Sequence, residues 1–166
     1  MAEVADEAGV VRSTVYRYFA SRDDLVLGLV LMRIDAAEAK LVRSLRHPHD
    51  AAQTIPRMVL VPVASVTGNP LNEALFAGES TALATVLELG SDRIVDVIVT
   101  HFGPLFERWQ AGGQMHPDLD PREVARWIHT AALFLLSPPW RHRSAADKRR
   151  FVDQFVVRAL VPQIGH

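Results

Sequence analysis

Apolar residues recur along most of this chain at helical spacing. Over residues 93–110, Ile94, Val97, Ile98, Phe102, Leu105 and Trp109 fall at three- and four-residue intervals, which places them on one face of a helix. Residues 120–136 repeat the pattern with Val124, Trp127, Ile128, Ala131 and Leu135, and a third stripe near the end holds Val152, Phe155, Val156 and Ala159. Strictly alternating runs bounded by hairpin turns do not occur, and the sequence has no Asn-Gly or Asp-Gly pair. The pattern predicts an all-α fold.

Punctuation divides the helices. Gly9 breaks the first short segment, and Ser21 stands where it can cap a long helix beginning near Asp23, with Asp24 three residues on as in a capping box. His47-Pro48-His49-Asp50 closes that helix, and Pro56 and Pro62 inside the next apolar segment predict a kink or a split. Thr67-Gly68-Asn69-Pro70, Leu89-Gly90-Ser91-Asp92 and Ala111-Gly112-Gly113 mark loops. Asp120-Pro121 sets a cap and a first-turn proline, Ser137-Pro138-Pro139 ends that helix, and Ser144 opens the last one. Two parts follow: residues 1–45, a head with its connecting helix, and residues 46–166, a helical core.

The head carries the chemistry. Residues 1–25, MAEVADEAGVVRSTVYRYFASRDDL, read as two short helices joined by a tight turn at Gly9 and followed by a capped third, the helix-turn-helix arrangement. Val4, Ala5 and Ala8 face inward from the first helix, and Val10, Val15 and Phe19 from the second. The outward set Arg12, Ser13, Thr14, Tyr16, Arg17 and Tyr18 is made of hydrogen-bond formers, and residues 10–22 hold three arginines and no acid. Such a helix can present its first residues to base edges while Arg, Tyr and Ser hold phosphates. The competing reading is a solvated face on an ordinary helix pair.

The runs Val4-Ala5-Asp6-Glu7-Ala8-Gly9-Val10, Ser13-Thr14-Val15-Tyr16-Arg17-Tyr18-Phe19 and Ser21-Arg22-Asp23-Asp24-Leu25 resemble the DNA-binding signature of TetR-type transcriptional repressors. The stretch from Gly113 to Pro121 is similar in style to a loop and helix start common late in these proteins. The resemblance implies an all-helical homodimer with a reading head and a divergent ligand-binding core. It also implies that Ser13, Thr14, Tyr16 and Arg17 face the operator. Tyr18 and Arg22 would contact phosphates, with Arg22 where the family usually has lysine. The family's head has three helices, the first of which precedes the one that starts here near Met1. An incomplete, N-terminally shortened head is therefore expected, exposing Val4, Ala8, Val15 and Leu25.

Between Asp50 and Trp109 the apolar content suits a small-molecule cavity: Met58, Leu60, Phe76, Leu83, Leu87, Phe102, Phe106 and Trp109, with His101, Glu79, Glu88, Trp127 and His129 as candidate polar groups. The plainer reading is that these aromatics are core and that His101 is a hydrogen-bonded core histidine. The last two helices carry stripes wide enough to pack both inward and against a partner. The resemblance implies a four-helix dimer interface from them, for which Trp127, Ala131, Phe134, Phe151, Phe155 and Val156 are the candidates. A two-fold dimer would hold two heads about 34 Å apart and read a near-palindromic operator. The cluster Arg141, Arg143, Lys148, Arg149 and Arg150 reads as a solvated surface.

Composition trims the alternatives. The chain has 166 residues, 49% hydrophobic and 22% charged, enough apolar content for a sizeable core. Its net charge of -1 confines any nucleic-acid contact to a local patch such as the second helix. Zero cysteines exclude disulfides, thiolate metal sites and thiol catalysis. Acids at Glu3, Asp6 and Glu7 interrupt any leader-like apolar start, and the run from Leu25 to Met32 is too short to cross a bilayer, so a cytoplasmic protein without membrane contact is expected. His47-x-His49-Asp50 is a weak metal-like cluster, and no phosphate loop, nucleophile elbow or zinc-helix motif is present. Neither an enzyme nor a cofactor or resident metal is expected. Two readings remain: a ligand-responsive DNA-binding repressor, and a dimeric helical ligand-binding module without DNA binding because its head is incomplete.

Overall fold

Helix starts in the computed structural model, which describes residues 1–45, 50–66 and 91–162, repeatedly fall where an oxygen-bearing side chain takes an unpaired backbone N–H. The head comprises α1 (Ala2–Glu7) and α2 (Arg12–Tyr18), and α3 (Arg22–Ser44) leaves it toward the core. Ser21 Oγ accepts the Asp24 N–H at 3.0 Å, while the Asp24 carboxylate accepts the Ala20 N–H at 3.2 Å, one residue upstream of the reciprocal capping box. At the start of α4 (Ala51–Val66), Asp50 accepts the Gln53 N–H at 3.0 Å and the Gln114 side chain accepts the Ala51 N–H at 3.0 Å.

Pro56 and Pro62 were expected to kink or split this segment, and it is not split: α4 runs from Ala51 to Val66 with both inside it. Ile55, Met58, Val59 and Val63 are buried on one face. Their packing outweighs the two donors that the prolines remove.

Next comes α5 (Ser91–Ala111), whose first turn takes up Ser91 and Asp92 where a loop was expected. Its buried set includes Ile94, Ile98, Phe102, Leu105, Phe106 and Trp109. The helix stops where Gly113 adopts φ 69, a left-handed conformation that a Cβ would strain. Asp120 then accepts the Arg122 and Glu123 N–H groups at 2.7 and 3.3 Å to start α6 (Pro121–Leu136). A further single turn, α7 (Pro138–Arg141), forms after the break at Ser137. Ser144 opens α8 (Ala145–Phe151), accepting the Asp147 N–H at 3.1 Å.

The chain continues from α8 through a π-helical stretch, Val152–Val157, into α9 (Arg158–Leu160). That wider turn changes which residues share a face. Val152, Val156 and Leu160 are buried, whereas Phe155 and Ala159, expected on the same apolar stripe, are exposed. α5 packs against α6 and α3, and α4 against α6 and the π-helical stretch. One buried cluster joins Leu27, Val30 and Leu41 of α3 to Val59, Phe102, Phe106, Val124, Leu135 and Val152. Among the described residues, no helix is long and apolar enough to cross a membrane.

Candidate nucleic-acid interface

The turn between α1 and α2 sets the geometry of the head. Gly9 takes φ 65, and the Gly9 and Val10 N–H groups bond back to the Asp6 and Ala5 carbonyls at 3.1 and 3.0 Å. Ala5 and Val15 are buried at 2% and 7% exposure. Val4, Ala8 and Val10, expected to face inward, are exposed, because the six-residue α1 offers one buried position, Ala5. Of the residues expected to be exposed by a shortened head, Val15 is buried and Leu25 is half-buried. Phe19 is half-buried too and closes on α3, where a Cβ at Gly28 would stand 2.9 Å from its ring.

With Val15 turned inward, the opposite face of α2 is presented to solvent. Arg12, Ser13, Tyr16, Arg17 and Tyr18 are exposed, Thr14 is half-buried, and Arg22 is exposed at the start of α3. Two arginine–tyrosine pairs organise the face. Arg12 donates to the Tyr16 hydroxyl at 3.3 Å with its guanidinium 5.4 Å from the ring centre, and Arg17 donates to the Tyr18 hydroxyl at 3.4 Å, lying 5.1 Å from that ring. The Tyr16 hydroxyl bond holds the Arg12 guanidinium still more firmly in its charged form. Each pair pre-orients a planar fork of donors, the geometry that suits phosphates and guanine edges. The acids Glu3, Asp6 and Glu7 sit on α1, and none interrupts α2. All seven residues selected for nucleic-acid contact therefore belong to one short helix and the first residue of the next.

The core candidates separate. Met58, Phe102, Phe106 and Trp109 are at most 3% exposed, with ring centres 6.4 Å apart for Phe102 and Phe106 and 6.0 Å for Phe106 and Trp109. His101 is half-buried between α5 and α3 and pairs with the Asp35 carboxylate at 2.8 Å. Trp127 stands away from this group on the outer side of α6, 39% exposed. Phe76, Leu83, Leu87, Glu79 and Glu88 lie outside the described residues, as do His47 and His49.

Two ionisable groups, His129 and Glu38, are themselves buried. His129, considered for the cavity, has an Nε2 atom with no hydrogen-bond partner, and burial, followed by the charge of Arg126, pushes its value down to about 4. Glu38 escaped the sequence reading altogether. It is 6% exposed, and burial pushes its carboxyl up to about 7. The signal was present, since Glu38 interrupts the stripe Leu27, Leu31, Ile34, Leu41, Val42 and Leu45 at an inward position.

An aromatic ladder crosses the last helices. Phe151 lies between Phe134, Trp140 and Phe155, with centres 5.1, 4.8 and 5.1 Å away. Phe134 and Phe155 are 43% and 57% exposed, whereas Ala131 and Val156, candidates for the same surface, are interior.

Comparison with known proteins bears on the head and on the whole chain. Residues 1–29 match the family model of bacterial regulatory proteins, tetR family. Two proteins from different strains of Mycobacterium tuberculosis, each described as an uncharacterized HTH-type transcriptional regulator, align at 26% identity over 165 residues. Each alignment covers 98% of this chain and 75% of the relative.

Proposed function

We propose that this chain is a DNA-binding transcriptional regulator of the tetR family of bacterial regulatory proteins, and that it acts as a repressor released from its operator by a small-molecule effector. The observation that carries this reading is the solvent face of α2, where two arginine–tyrosine pairs stand exposed while Val15 turns inward. Ser13, Thr14, Tyr16 and Arg17 meet base edges, and Arg12, Tyr18 and Arg22 hold the phosphates on either side. The exposed aromatic ladder at Phe134 and Phe155 supports a two-fold dimer through the last helices. Such a dimer sets the two reading helices about one DNA turn apart.

Release requires an effector that prefers one separation of the heads over another. α3 is suited to transmit that preference, because it begins at the head and buries Leu27, Val30 and Leu41 in the core. Selection of bound duplexes from a random-sequence pool tests the reading. The expected outcome is enrichment of two dyad-related half-sites with centres about one helical turn apart. A pool that stays random after repeated rounds refutes it.

A further inference from the structure

Glu38 is a carboxyl set in the middle of an apolar stripe. It follows Ile34 by one turn on α3, precedes Val42 by another, and has the buried Leu41 beside it. Only 6% of it is exposed, and among the described residues it has no hydrogen-bond or ion-pair partner. Two basic groups that reach α3 from α5 and α4 are already engaged. His101 of α5 is taken by Asp35 at 2.8 Å, and Arg57 of α4 donates to Ser44 Oγ at 3.0 Å. A carboxylate buried this way is costly to ionise unless a cation or strong donors meet it. The lone imidazole nitrogen of His129 does not fill the same role, because the neighbouring Arg126 makes its surroundings unfavourable to a cation.

We propose that Glu38 is the polar anchor of the effector site and that the effector is a largely apolar amine, whose ammonium group pairs with this carboxylate. The proposal rests on the effector-released reading given above and names the ligand class for it. An ammonium at Glu38 acts directly on the helix that carries the head. Its pairing energy therefore differs between positions of α3, as any effector's must if it is to shift a population. The aliphatic residues around Glu38 accept the rest of the molecule, and the carboxylate selects its charge.

Calorimetric titration of the full chain with 2-phenylethylamine and its uncharged analogue 2-phenylethanol, near pH 8, tests the assignment without DNA. The amine is expected to bind the wild-type chain about tenfold or more tightly than the alcohol, the difference a charge-assisted hydrogen bond makes. In Glu38→Gln the preference is expected to vanish, while thermal melting shows the variant folded and no less stable. An amine that does not outbind the alcohol on the wild-type chain, or a preference that survives in Glu38→Gln, overturns the proposal. Because no operator is present, either result leaves the DNA-binding reading to stand or fall on duplex selection.

Discussion

Replacing Glu38 by Gln and His129 by Leu, separately, should uncover two opposing pH dependences that nearly cancel in the wild-type chain. Burial raises the Glu38 carboxyl from the ordinary 4.5 to about 7. The folded chain thus keeps a proton that the unfolded chain has lost. The stability this contributes is complete below pH 4.5 and is lost as pH rises through about 7. His129 runs the other way. Its value falls from the ordinary 6.5 to about 4, so its contribution is complete above pH 6.5 and is lost as pH falls through about 4. At about 1.4 kcal/mol per pH unit, each gap amounts to on the order of 3 kcal/mol. Asp92 and Asp147 do not intrude, since their partners Arg126 and Ser144 hold them below the ordinary carboxylate value of 3.8.

Urea unfolding followed by circular dichroism across this range reads the balance directly. The wild-type midpoint should be nearly flat between the two ordinary values. Glu38→Gln should lose on the order of 3 kcal/mol as pH falls toward about 4, with only His129 left to titrate. His129→Leu should lose a similar amount as pH rises toward about 7. Wild-type and variant profiles that run parallel across the whole range would refute the burial of both groups as described.

Two further substitutions probe the head and the aromatic ladder. Gly28→Ala places a Cβ 2.9 Å from the Phe19 ring and forces that ring off α3. The gain of about 1 kcal/mol in helix propensity offsets the strain, so melting should change little while duplex affinity falls; unchanged affinity would show that this contact does not set the head. Phe155→Glu puts a charge on a residue that is 57% exposed, so the fold should persist while light scattering reports a shift from dimer to monomer. An unchanged mass removes Phe155 from the interface.

Much of the architecture was legible because capping is local. Ser21, Asp120 and Ser144 each sit immediately before an apolar-periodic run, and each accepts the backbone N–H that its position suggests. Which face of α2 turns outward was also legible, since a buried Val15 with polar neighbours fixes which way a short helix must turn. Features that depend on tertiary packing were not. The burial of Val152, Val156 and Leu160 with Phe155 exposed follows from a π-helical turn that no spacing rule anticipates. The unbroken path of α4 through two prolines reflects the packing of its buried face, which propensity alone does not weigh. Glu38 was not singled out, because a charged side chain carries no apolar signal of its own. In a helix buried along one stripe, its register is the better guide.

The central claim, that the exposed face of α2 grips DNA, is tested most directly by one binding measurement. Fluorescence anisotropy on the selected duplex, over a series of salt concentrations, compares the wild-type chain with Arg17→Ala. Affinity should fall about tenfold or more, as for a base-contacting arginine, while light scattering shows an unaltered assembly state. Equal affinities and equal salt slopes for the two proteins would contradict the account.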